Sequence, residues 1–520
     1  MRKITIALTL IISSFIVHSQ DSEVYLELEF GKSFPVTAKD GVIKIIGKVE
    51  SGIAAIGVNM FYTKLTVYIF DKEMGMVKKG LATVDGQVLK YRDIAHLFVE
   101  DNALHFVRFT YDKQSKSRVI SKFVFDERTM TFVEPEPVLA WQDGIKLPKN
   151  GYGRYFWQAY SPDSSTVAFL TLGKDTPEAG REVIVTVTDK DFNVLWEKRK
   201  LIPSANESVY KVSELKVSNN GKVYITRSRR VVNDYLERAG GQYDFNLMSY
   251  EVIVVAEDVE SQVILLNNKN QTFGKMFSKM MADGTLRFIF SSRSIAEGLI
   301  YLNSVFFDEE LDEIVHVQNE IVKEEYLTMF LEDYELDEIA RRQKKGRYNP
   351  LRSYEVAHVV ENKNSSTTLI LEQRFITDQA STNPSRPERV KMYNFRNIMV
   401  VNMDEVGKIN WTKVIPHMSV ISAEYLVGKT DLLKLENDQF ALVFKDFGNH
   451  NEKKEENTKV TDGDDSKYLV YGINEEEVFS RTILTHNEPL VLDGLNNFAL
   501  GKNEYLYYEG QRLVSLFIEF

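Results

Sequence analysis

Three groups of side chains have the types and spacing to bind or react. Residues 138–160 carry Trp141, Tyr152, Tyr155, Phe156, Trp157 and Tyr160, and exposed rings of this kind stack on sugars or cations. Tyr235, Arg238, Arg386 and Arg389 fall in polar segments, where a guanidinium can hold a carboxylate through two parallel hydrogen bonds. Asp462, Asp464 and Asp465 suggest calcium, but an EF-hand loop fails at its glycine and its last ligand, where Lys467 and Ile473 stand. A solvated acidic loop is therefore expected there. Trp141, Tyr152, Tyr235, Arg238, Arg386 and Arg389 remain as candidate ligand- or partner-binding residues, whereas Trp157 and Tyr160 are expected in the core.

Other chemistries lack their residues. The chain has no cysteine, so it offers no thiolate nucleophile, no disulfide and no lipid-bearing cysteine. No His pair has HExxH spacing, and no G-x-S-x-G elbow occurs. Gly31-Lys32-Ser33 and Gly428-Lys429-Thr430 look like P-loop ends, but the earlier glycine is replaced by Leu26 and Ala423. No metal and no cofactor is expected.

The elements that must position the candidates begin after residue 19. Arg2 and Lys3, the apolar run Ile4–Val17 and the small Ser19 form the order of a secretory signal, so residues 1–19 are set apart and residues 20–520 are treated as one domain. The implied location is periplasmic or secreted, in a bacterial cell. Formal charge is −11 for the whole chain and −13 without Arg2 and Lys3, which disfavours nucleic acid and anionic lipid. The one dense basic cluster, Arg227-Ser228-Arg229-Arg230, reads as the polar end of a strand.

Turn signals recur at intervals of tens of residues. One set comprises Asp40-Gly41, Asp101-Asn102, Asp163-Ser164, Asn220-Gly221, Asp283-Gly284, the vicinity of Asn364, and Asn437-Asp438. A second set closes an apolar strand at Asp71, Asp126, Asp189, Asp258, Asp308, Asp404 and Asn474. Seven units thus carry both turns and read as four strands, A to D. Seven residues after each Asp of the second set stand Lys78, Val133, Trp196, Leu265, Val315 and Trp411, and the apolar ones are expected to pack. The strands are short, rich in β-branched and aromatic residues, and often apolar on both faces, which suits sheets packed between sheets. The expectation is an all-β chain, a β-propeller of seven or eight four-stranded blades with one helical insertion. Val24–Phe30 has no partner in its own unit and is expected to join the C-terminal strands after residue 489, closing the ring.

Ser161-Pro162-Asp163-Ser164-Ser165-Thr166-Val167-Ala168-Phe169 resembles the S-P-D-G-x-x-[IV]-A-[FY] motif of WD40-like periplasmic propellers of the TolB type, with Ser164 in place of glycine. Asp189 to Trp196 and Asp404 to Trp411 are similar to the Asp-turn-Trp element of quinoprotein-like propellers, without that family's Ala and Thr-Gly positions. The resemblance implies architecture and no particular activity.

Long insertions fall at 231–246, 376–394 and 448–466 between strands B and C, and at 138–154 and 319–352 between D and the next A. Alternating strand direction brings all five to one end of a propeller. Val322, Tyr326, Phe330 and Tyr334 fall four apart, with Leu327, Leu331 and Ile339 alongside, so 319–352 is expected to be a helix that packs on that end and stops at Gly346. Residues 449–467 are expected to be a mobile polar loop.

These features point to a non-enzymatic binding or interaction module of the cell envelope. It would be a monomer with no integral membrane segment, and would engage a protein or glycan through its insertion-rich face. The alternative is a carbohydrate-active propeller enzyme using acidic residues near the centre.

Overall fold

The computed structural model describes residues 27–519 apart from 36–41, 59–63, 72–75, 85, 90–93, 113, 134–138, 142–155, 177–179, 203–209, 231–247, 258–261, 267–270, 282–284, 295–299, 309–312, 332, 346–353, 363, 381–388, 418, 422–429, 436–438, 447–466, 475, 477, 485–497, 502–503 and 510–511. The expected signal segment, Asp40-Gly41 and the acidic loop up to residue 466 lie outside the described residues; Lys467 begins a strand.

Short-range turn chemistry makes the hairpins. Asp101 and Asn102 both adopt left-handed backbone angles (φ 50° and 59°), the mirror-type turn that matches strand twist. Elsewhere an Asp or Asn carboxyl or amide oxygen caps the turn by accepting a backbone N–H two residues on. Asp163 does so from Ser165, Asn220 from Lys222, Asn364 from Ser366, Asp189 from Asp191, and Asp404 from Val406. The strands between these turns form antiparallel meanders spanning 42–81, 94–133, 156–202, 210–266, 271–321, 354–415 and 431–484. The turn within the first of these is Glu50-Ser51, between Val42–Val49 and Gly52–Val58, so Asp40-Gly41 precedes the meander instead of folding it.

Packing then decides the architecture. Each of several apolar clusters joins two consecutive meanders. Ile56 and Val67 pack with Phe106 and Phe123, Phe109 and Ile120 with Phe156 and Phe169, and Leu170 and Val185 with Val217 and Ile225. Further on, Leu302 packs with Leu369 and Val401, and Ile370 and Val400 with Leu442 and Leu469. Burying a side chain of this size contributes roughly 1.5–3 kcal/mol, so strands apolar on both faces are the cheapest way to stack sheets. First strands of several neighbouring meanders lie beside one another: Val42–Val49 beside Ile94–Glu100, Phe156–Tyr160 beside Tyr210–Val217, and Gln271–Met280 beside both Tyr210–Val217 and Tyr354–Glu361. Phe498–Gly501, near the end of the chain, lies beside Val42–Val49. The last sheet therefore meets the first, and the inner strands surround an axis. Glu27–Pro35 pairs antiparallel with Arg512–Glu519, completing the final sheet with the N-terminal strand as expected. This all-β ring of packed meanders is a β-propeller.

Some expectations change. The described strands hydrogen-bond into seven sheets, and one of these runs through two meanders by a single bridge, Met248 to Phe273, so sheets and repeat units do not correspond one to one and the count of seven or eight blades is not established by them. Trp196 is buried and Trp411 half-buried against cores, as expected, but Val133 and Val315 are exposed, Val315 on an outermost strand that has a neighbour on one side only. Tyr160 is 41% exposed rather than in the core, its hydroxyl accepting a hydrogen bond from Gln158. Among the described residues no helix is long and apolar enough to cross a membrane.

Candidate functional site at the insertion-bearing end

Additions to the meanders cluster at the start of the third strand, where B-to-C and D-to-A connections meet. Leu139–Trp141 pairs with the start of Ser117–Asp126, and Ser419–Ile421 pairs near the start of Arg389–Met403. The expected insertion at 376–394 is mostly a longer ribbon: Thr367–Ala380 and Arg389–Met403 stay paired out to Ala380 and Arg389.

The insertion at 319–352 is two helices instead of one. The preceding strand, Glu313–Ile321, runs into it, followed by α1 (Glu324–Thr328) and α2 (Asp333–Lys344). Val322 and Leu327 sink into the cluster that holds Ile300, Leu302, Tyr354 and Leu371, and Ile339 of α2 is also buried. Asn397 Nδ2 donates to the Met329 carbonyl at 2.9 Å, and Arg396 lies 3.4 Å from Glu335, which is 5% exposed. Arg342 and Arg341 hold the Glu338 carboxyl below the usual range. Between the helices Phe330 takes a left-handed angle (φ 64°), which swings its ring outward. The expected packing stripe therefore ends at the elbow: Phe330 is 54% and Tyr334 65% exposed, with Met329 and Leu336 exposed beside them.

The inner strands also carry two carboxylates, Glu214 and Glu355, on either side of Gln271–Met280. Several of these strands carry a bulge, among them Tyr210–Val217, Gln271–Met280 and Tyr354–Glu361, which twists the strand and re-aims its side chains. Glu214 Oε2 accepts from Ser278 Oγ at 2.6 Å, and its other oxygen lies 3.0 Å from Lys216 Nζ. Glu355, on the next inner strand but one, is ion-paired with Arg374. Tyr250 fills the bulge between them: its hydroxyl donates to the Gly274 carbonyl (2.9 Å) and accepts from the Met276 N–H (3.1 Å). Burial first, then the nearby Glu355 and Glu214 charges, push Tyr250 up to about 12, which keeps it a neutral hydrogen-bond donor at ordinary pH. Among the described residues no group of His, Asp and Glu is arranged to hold a metal.

The structure removes one candidate from the surface. Trp141 is 3% exposed, packs edge-on to Phe109, and donates from Nε1 to Thr186 Oγ1 at 2.9 Å, so its ring is core with a satisfied polar atom and not a ligand platform. Arg389 is placed at the tip of the long ribbon. Tyr152, Tyr235, Arg238 and Arg386 lie outside the described residues. Arg227–Arg230 does end a strand, with Arg227 paired to Glu251 across the sheet. Glu214 and Glu355 were not singled out by sequence, and Phe330 was expected in the packing stripe of a helix. The carboxylates have no local signature among 75 acidic residues, whereas Phe330 precedes Asp333, whose position in a first helical turn was a usable sign that a second helix begins.

No family model and no curated protein matches the chain. Solved structures similar to it include the β-propeller domain of the Trilobed protease from Pyrococcus furiosus, at 11% identity and TM-score 0.33, covering 86% of this chain and 96% of that one. The polysaccharide lyase Uly1 is similar at 11% identity and TM-score 0.33, over 94% of this chain and 99% of the lyase. Porphyromonas gingivalis dipeptidyl peptidase 4 is similar at 10% identity and TM-score 0.39, over 91% of this chain and 56% of the peptidase. At these TM-scores the architecture rests on the chain's own sheet topology.

Proposed function

We propose that this chain is an exported, cysteine-free β-propeller of the cell envelope that acts as a binding or interaction module through its insertion-bearing end. Its ring is of seven or eight blades, and its hairpins are of the kind found in WD40-like, TolB-type propellers. The observation that carries the reading is the contrast within residues 322–339: Val322, Leu327 and Ile339 lock the helical insertion onto the propeller, while Met329, Phe330, Tyr334 and Leu336 face solvent. Binding surfaces are built in this way, with rigid scaffold beneath and exposed aromatic anchors above. Because the preceding strand continues to Ile321, the test replaces residues 323–345 with a short Gly/Ser link. The variant should keep its β-sheet circular dichroism and lose its envelope partners in co-purification. A folded variant that keeps every partner would reject the reading, and fractionation of the cell envelope tests the location.

One observation favours the second reading, a carbohydrate-active enzyme. Glu214 and Glu355 stand on inner strands either side of the strand that holds the Tyr250 hydroxyl, and glycoside hydrolysis draws its two carboxylates from separate elements in this way. A glycan-library turnover screen with Glu355→Gln as control decides it. Turnover lost in the variant supports the enzyme, and no turnover by the intact protein removes it.

A further inference from the structure

We propose that the elbow between α1 and α2 is the anchor of the binding face, and that it inserts into an apolar pocket edged by Lys and Arg on a partner protein. The inference rests on the binding-module reading above and narrows its partner from protein or glycan to protein. Three observations converge on the elbow.

The first is composition against exposure. Met329, Phe330, Tyr334 and Leu336 are four large apolar side chains within eight residues, all between 37% and 65% exposed. Scattered apolar residues on a surface need no explanation, but four concentrated within one elbow and the first turn after it mark a contact site.

The second is conformation. Phe330 is a bulky residue held at a positive φ, which glycine or asparagine would adopt more readily, and its ring is left more than half exposed. Its backbone is nevertheless fixed on both sides. Leu327 and Val322 are buried before it, Asn397 ties the Met329 carbonyl, Leu331 N–H bonds the Thr328 carbonyl, and Glu335 and Ile339 are buried after it. An aromatic ring presented from a fixed backbone loses little freedom on docking, which is what makes rings of this kind binding hot spots.

The third is charge. Glu324, Glu325, Asp333 and Asp337 are exposed around the elbow, with Lys323 set against Glu325 at 3.7 Å, whereas Arg341, Arg342 and Lys344 lie at the far end of α2. An apolar centre with an acidic surround fits an apolar pocket with a basic rim. A second copy of this chain would bring net negative charge to an acidic surface.

The test places a benzoylphenylalanine photo-crosslinker at position 330, at 389 on the ribbon tip of the same end, or at 102 in a turn at the opposite end, each in the full chain in its own cells. The expected result is one protein crosslinked from 330 whose purified form binds the full chain. Phe330→Gly should weaken that binding at least tenfold, as should Asp333→Lys, and rising salt should weaken it further, with circular dichroism unchanged in both variants. A crosslink from 389 without one from 330 overturns the elbow while leaving the binding end in place. Crosslinks from 102 alone, or from none of the three, reject both. A homodimer crosslinked from 330 replaces the partner with self-association, and a glycan-dependent signal insensitive to Phe330→Gly overturns the choice of a protein.

Discussion

Replacing Phe330 separates an anchor from a core residue by stability alone. A left-handed angle costs a non-glycine residue about 1–2 kcal/mol, which Phe330→Gly releases. Against this, glycine loses roughly 0.5–1 kcal/mol more conformational freedom on folding. The ring is 54% exposed, so a little under half of its full burial, about 1 kcal/mol, is forfeited as well. These contributions nearly cancel, and Phe330→Gly is expected to lie within about 1 kcal/mol of the parent. Phe330→Ala loses the ring and keeps the strain, so it should be less stable than the glycine variant by about 1 kcal/mol. Phe106→Ala sets the scale for a true core ring: Phe106 is fully buried and stacked on Phe123 at 4.2 Å, and its loss should cost about 3–5 kcal/mol. Urea titration followed by tryptophan fluorescence measures all three variants. The reasoning is refuted if Phe330→Gly is less stable than Phe330→Ala, which would mean the backbone is not left-handed, or if it costs as much as Phe106→Ala, which would mean the ring is packed.

Gly52 has φ +150°, and an added Cβ would stand 1.8 Å from the Phe70 carbonyl oxygen, so Gly52→Ala should lower the urea midpoint by an amount equivalent to about 1–3 kcal/mol. Asp163 and Asp189 are held below the ordinary aspartate range, chiefly by hydrogen bonds from Ser161 and Asn193 respectively. Their contribution to stability is therefore present above the unfolded value near 3.9 and is lost as pH falls through the lower folded values. Urea midpoints between pH 6 and pH 2 should drop in that acid range, and less so in Asp189→Asn; an equal drop in both would count against the turn carboxylates. Trp141→Phe removes the hydrogen bond to Thr186 and should cost about 0.5–1.5 kcal/mol with no change in partner binding. A binding defect at full stability would restore Trp141 as a contact residue.

What was legible in the sequence was local and repeated. Asp and Asn at hairpin tips act through their own backbone two residues on, so Asp163, Asn220 and Asp404 announce turns wherever they stand. The closing strand was readable as well, because Val24–Phe30 lacked any partner nearby. Exposure was harder. Trp141 and Tyr160 sit in one aromatic-rich stretch, yet an added strand buries the first and a strand end exposes the second, and no local rule separates them. The four-residue spacing of Val322, Tyr326, Phe330 and Tyr334 described one long helix, but tertiary contacts to Asn397 and Arg396 support a break instead. Glu214 and Glu355 both reach the surroundings of Tyr250 only because the ring brings strands far apart in sequence to either side of Gln271–Met280.

The pairing of Glu27–Pro35 with Arg512–Glu519 sets the timetable of folding. Glu27–Pro35 has no partner until Arg512–Glu519 is in place, so until then the ring carries an open seam. Each meander can form from neighbours alone, with contacts of short sequence range, whereas the seam needs a search across nearly the whole chain. The slow step is therefore shutting the circle, and a half-made molecule is a row of sheets with two unguarded edges that a chaperone would have reason to hold.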